Sequence, residues 1–169
     1  MPTPSWDLAI TLFFLMGIAF GYILQRDKIV ATLVSVYIAL IVTQAFSGNL
    51  YQFFQGDKTL FNQVWIKSNT NPLTIRVLLF GLVIVLLSAK SGISAQKTKG
   101  LLSPLEIIVY STLTTGLILA SLFYFLPPES RETFAATSKM ARLLINNYTW
   151  WVIMPVVAMV VFGFLKKDD

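Results

Sequence analysis

The chain contains no cysteine and no histidine. The first absence excludes disulfides and thiolate metal sites. The second removes the commonest general base and the commonest metal ligand. Charge is scarce as well: Asp, Glu, Lys and Arg make up 12% of the 169 residues, against about a quarter in an ordinary soluble domain. All eight acids lie at or beyond the ends of apolar runs. A transporter coupled to a proton or sodium ion through a mid-membrane carboxylate is therefore not expected. No nucleophile–base pair, metal cluster or Gly-rich phosphate loop can be read, so no enzyme, cofactor or metal is expected. The net charge of +5 forms no stripe on a soluble face. It fits topology and lipid headgroups, and nucleic acid is not an expected partner.

What the chain has is apolar length, with 56% of its residues hydrophobic. Five segments, 8–24, 29–46, 72–89, 104–126 and 149–165, approach the roughly 20 residues needed to cross a bilayer. The opening MPTPSWD lacks a positive flank and no small-residue cleavage site follows, so the first run is read as a retained span. Pro155 interrupts the fifth run and frees a backbone carbonyl, which neighbouring helices can satisfy. Segments 50–65 and 130–148 carry apolar residues at helical spacing and are read as interfacial amphipathic helices or as helices packed on the spans. The expected fold is thus an all-α polytopic membrane protein with about five transmembrane helices and two interfacial helices. Residues 1–148 form its membrane domain, and 149–169 add a C-terminal span with a short charged tail.

Local signals mark several helix starts. Ser103-Pro104-Leu105-Glu106 reads as a capping box, Asn71-Pro72 opens the third span, and Ser5 can cap the first with Asp7 near its positive end. Trp6, Trp65, Tyr148, Trp150 and Trp151 read as an aromatic belt. Arg26, Lys28, Lys90, Lys97, Lys99, Lys166 and Lys167 fall in short connections or at span ends on one side. Their density favours an outside N-terminus and a cytoplasmic C-terminus. The tight stretch Gln25-Arg26-Asp27-Lys28 is read as a hairpin that sets this topology.

Two small-residue patterns remain. Gly17 and Gly21 form a GxxxG pair, and Thr112, Gly116 and Ala120 form a ridge at four-residue spacing. Both allow close helix packing, within the chain or with partners. Ser111, Thr112, Thr114 and Thr115 spread over more than one face of the fourth span. That span is therefore either surrounded by protein or borders a watery cavity, with protein favoured.

These features resemble the colicin V production protein (CvpA) family of bacterial inner-membrane proteins. The likeness lies in Trp6-Asp7-Leu8, in Gly21-Tyr22 before the basic hairpin, in residues 100–126, and in the amphipathic segment after them. Thr115 stands where the family often has arginine, and the fifth span is extra. The resemblance implies a non-enzymatic accessory protein of the bacterial inner membrane. Its implied role is in production or export of a peptide toxin or in envelope homeostasis. Its expected partners are the lipid bilayer, a second copy, or other membrane proteins. Two rivals are a small channel or transporter subunit with residues 104–126 lining a cavity, and a lipid-interacting scaffold.

Overall fold

The computed structural model describes residues 5–24, 26–54, 71–90 and 104–165. These residues form helices α1 (Trp6–Leu24), α2 (Arg26–Phe54), α3 (Pro72–Lys90), α4 (Pro104–Phe125), α5 (Pro128–Thr137), α6 (Lys139–Asn146) and α7 (Tyr148–Leu165), with no strand among them. Four helices are long and apolar enough to cross a membrane, and five if the bent pair α6–α7 counts as one span. The protein is all-helical, with the build of a multi-pass membrane protein.

Helix starts follow local chemistry. The Asn71 side-chain oxygen accepts the Leu73 N–H at 3.1 Å, and Ser5 Oγ accepts the Leu8 N–H at 3.3 Å. Each satisfies an amide that has no partner inside the helix. Proline occupies the first position of α3, α4 and α5, where a missing N–H costs nothing.

Helix α4 is the axis of the bundle. Of its span 56% is buried, against 11% for the spans of α1 and of α3. It runs antiparallel to α1, because Gly17 meets Thr115 while Gly21 meets Ser111. It also runs antiparallel to α7: Gly116 meets Trp151, and Tyr110 lies 5.5 Å from Phe162 between ring centroids. On its remaining side Leu117 and Phe125 join Leu33, Val36, Ala39 and Leu40 of α2 and Phe80 of α3 in one buried cluster. Phe80 and Phe125 meet edge to face at 5.4 Å, a favoured geometry for aromatic rings. A second cluster joins Ile10 of α1, Leu119 and Ala120 of α4, and Ala141 and Leu144 of α6. Outward faces stay apolar. Leu8, Leu12, Leu15 and Ile23 of α1, Leu78, Leu82 and Val85 of α3, and Ile153, Val157 and Phe164 of α7 are all exposed. A protein in water would bury such walls; lipid accepts them.

Two expectations need correction. The second span does not stop at residue 46, since α2 continues to Phe54 and absorbs the start of the segment assigned to the interface; residues 55–65 lie outside the described residues. Segment 130–148 is not one helix. It breaks at Ser138, whose backbone is extended at φ −134° and ψ 127°, giving α5 and α6. The C-terminal helix α7 packs directly on α4, and it meets α6 at 71°. Pro155 does not break α7. The Tyr37 hydroxyl of α2 donates to the Val152 carbonyl at 2.5 Å, one residue from the carbonyl that Pro155 frees.

Replacing Phe80, which is 2% exposed, by alanine empties the α3–α4 contact. Between helices in lipid the packing and cavity terms remain while the transfer term is small, so Phe80→Ala should cost about 1–3 kcal/mol. Equilibrium unfolding in mixed detergent measures it.

Candidate functional site

The candidate site is the seam along α4 together with the cap at its C-terminal end. At Gly17 a Cβ would overlap the hydroxyl and methyl of Thr115. At Gly21 it would overlap the Ser111 hydroxyl and crowd the end of Ile29. At Gly116 it would overlap the Trp151 ring. These glycines therefore serve contacts within the chain. Ala120 is buried beside Ile10 and Leu144. Thr112 is only half-buried, at the edge of the ridge.

Helix α4 answers its own polar groups. Ser111 Oγ donates to the Ile107 carbonyl at 2.6 Å, Thr112 to Ile108 at 2.8 Å, and Thr114 to Tyr110 at 2.7 Å. Thr115 donates to Ser111 at 2.7 Å and Ser121 to Leu117 at 2.6 Å. Each hydroxyl bonds one turn back along its own helix, a pattern open to serine and threonine in any helix. Ser111, Thr114 and Thr115 are buried, with α1 lying over Ser111 and Thr115. In α2, Ser35 likewise donates to the Ala31 carbonyl at 2.8 Å, whereas the fully buried Thr43 hydroxyl has no partner among the described residues.

At the other end, α5 and α6 fold over the start of α1. Asp7 is the anchor. Its Oδ1 accepts the Ser138 hydroxyl at 2.6 Å and the Met140 N–H at 2.9 Å, while Ser138 Oγ accepts the Ala141 N–H at 3.0 Å. Two side chains from distant parts of the chain thus cap α6, with a carboxylate at its positive end. Trp6 meets Phe134 edge to face at 4.8 Å, and Phe123 meets Phe134 at 5.6 Å. Arg142 Nε donates to the Ala135 carbonyl at 2.8 Å and ties α6 back to α5. Ala141 and Leu144 face inward; Glu132, Lys139, Arg142 and Asn146 are exposed. The segment is a packed lid with one polar face.

The topology residues divide. Arg26 opens α2 beside the end of α1, and Lys28 is exposed two residues on. Lys97, Lys99, Lys166 and Lys167 lie outside the described residues. The aromatic belt divides too. Trp6 and Trp150 are exposed, but Trp151 turns inward onto Gly116 and Phe14, 6.1 Å from the latter ring. Sequence reasoning missed the second role of Asp7. The signal was present in the Ser-x-x pattern at Ser138, which is an ordinary N-cap pattern inside a segment that otherwise reads as one helix.

No family model, no curated protein and no solved structure matches this chain.

Gly17→Leu and Gly21→Leu should each push α1 off α4 and lower the unfolding midpoint in detergent. Gly81→Ala, where a Cβ meets open space, should instead be neutral or stabilising by up to about 1 kcal/mol through helix propensity. Ser138→Ala should loosen α6 at a cost of about 1 kcal/mol, visible as faster amide exchange over 139–146 with α1–α4 unchanged.

Proposed function

We propose that this chain is a non-enzymatic accessory protein of the bacterial inner membrane, of the colicin V production type. Its role is to support production or export of a peptide toxin, or envelope homeostasis. The observation that carries the reading is the contrast between apolar outer walls on α1, α3 and α7 and a fixed polar lid at one end. The walls suit the bilayer, and the lid offers a partner a shaped, charged surface at the membrane face. The small residues once open to a role between chains hold α1, α4 and α7 together instead. Assembly with other proteins then falls to the lid and the outer walls. The channel reading has less in its favour, because the hydroxyls of α4 are bonded to their own helix and α1 covers those of Ser111 and Thr115.

In this reading Arg26 and Lys28 face the cytoplasm, and the lid faces outward. The absence of native cysteine makes the test direct. A single cysteine at Lys28 should resist a membrane-impermeant maleimide in intact cells, and one at Glu132 should react; the reverse pattern would invert the protein. Deleting the gene in its native cell should reduce peptide-toxin export or sensitise the envelope to detergent. No change in either, or solute flux through the purified protein in liposomes, would overturn the accessory role.

A further inference from the structure

On the lid side of the bundle, a crevice of about 320 Å³ opens between the start of α3, the end of α4 and the start of α5. Its polar lining includes Asn71, Arg76, Tyr124 and Arg131, and Leu73 and Phe125 are among its apolar residues. Among the described residues no carboxylate lines it; Glu129 and Glu132, the near neighbours of Arg131 in sequence, are not on its walls. Two arginines therefore line one cavity with no acid among the described residues on its walls to balance them.

Neither arginine forms an ion pair with another described residue. Arg131 Nε is buried and has no hydrogen-bond partner among the described residues. The Arg131 guanidinium carbon lies 5.8 Å from the centroid of the Tyr124 ring, and Tyr124 is itself stacked on Tyr148 at 4.4 Å with the rings 8° apart. That stack gives the guanidinium a fixed aromatic platform, and contact with a ring face leaves its in-plane donors available. Arg76 is exposed one turn into α3 and forms no ion pair with a described residue. A buried donor without an acceptor costs free energy, which an incoming anion would recover. The chemistry that meets two forked cations is an oxyanion with several equivalent oxygens, and phosphate is the common one. The place agrees. The crevice lies at the ends of two helices long and apolar enough to cross a bilayer, and the end of a span is where acyl chain gives way to headgroup.

We propose that this crevice binds the phosphate of an anionic phosphate ester. Arg76 and Arg131 hold its oxygens, and Leu73 and Phe125 pack against the adjoining apolar part. A membrane phospholipid and a soluble phosphate compound both carry that group. The inference rests on the chain crossing a bilayer and not on the accessory role proposed above, which can fail without it.

The test uses the full-length protein purified in a neutral detergent. Retention of phosphatidylglycerol against phosphatidylcholine is read by native mass spectrometry, and thermal shift is measured with each lipid, with inorganic phosphate and with glycerol 3-phosphate. Wild type should retain phosphatidylglycerol selectively. Arg76→Gln and Arg131→Gln should each weaken retention by about tenfold, the size of one lost charge-assisted bond. Lys139→Gln, outside the crevice, should leave it unchanged. If the glutamine variants fold poorly, Arg76→Lys and Arg131→Lys keep the charge but lose the fork, and should weaken retention relative to wild type by less than about tenfold; unchanged retention in both would count against the crevice. Stabilisation by the lipid alone assigns the phosphate to a headgroup. Stabilisation by the soluble phosphates, with displacement of lipid, assigns it to a soluble ester. Equal retention of the two lipids by wild type with no shift from either soluble phosphate would overturn the proposal, as would full retention in the double glutamine variant.

Discussion

Between α1 and α4 there is no room for a side chain at two successive turns. Gly17 and Gly21 lie over Thr115 and Ser111, and even a methyl group at either glycine would overlap a hydroxyl. Lipid offers no hydrophobic force to drive one helix onto another, so association depends on close van der Waals approach. Once α1 is held there, Ile10 reaches the cluster formed by Leu119, Ala120, Ala141 and Leu144. Asp7 then sits where it can cap α6. The lid, and the crevice beneath its first helix, are thus positioned from a seam lying along the spans.

The same seam settles what the polar residues of α4 do. A hydroxyl inside a membrane protein needs an acceptor, and each of these finds one a turn away on its own helix. They cost little, pack tightly and leave the neighbouring helices free of any demand for hydrogen bonds. Cationic side chains behave differently. They cannot bond to their own helix in this way, so they collect at the ends of spans, and two of them face a shared cavity.

Much of the fold was legible because it was local. Pro72 and Pro104 begin helices where the sequence puts them, since proline at the first turn is a property of a few residues. The extension of α2 past Phe46 was not legible. Ser47, Gly48 and Asn49 are weak helix formers, yet Ser47 is buried on the bundle, and packing overrides the weak propensity of that stretch. The partners of the glycines and of Asp7 were equally hidden. The GxxxG pattern says that a backbone approaches closely but not whose, and Asp7 finds Ser138 across 131 positions of chain. The inward turn of Trp151 was hidden for the same reason, since it depends on the gap left by Gly116.

One residue, Gln25, separates the end of α1 from the start of α2. So short a link would suggest that the two helices are each other's main partners, yet α1 packs chiefly on α4 and α2 chiefly on α3. The order of synthesis then sets a waiting period. The first two helices enter the bilayer joined, but α1 has no glycine-matched surface until α4 emerges, about eighty residues after α1 ends. During that interval its two-glycine face is open to lipid or to any other helix with a small-residue ridge. The protein is most exposed to mispairing before its axis exists.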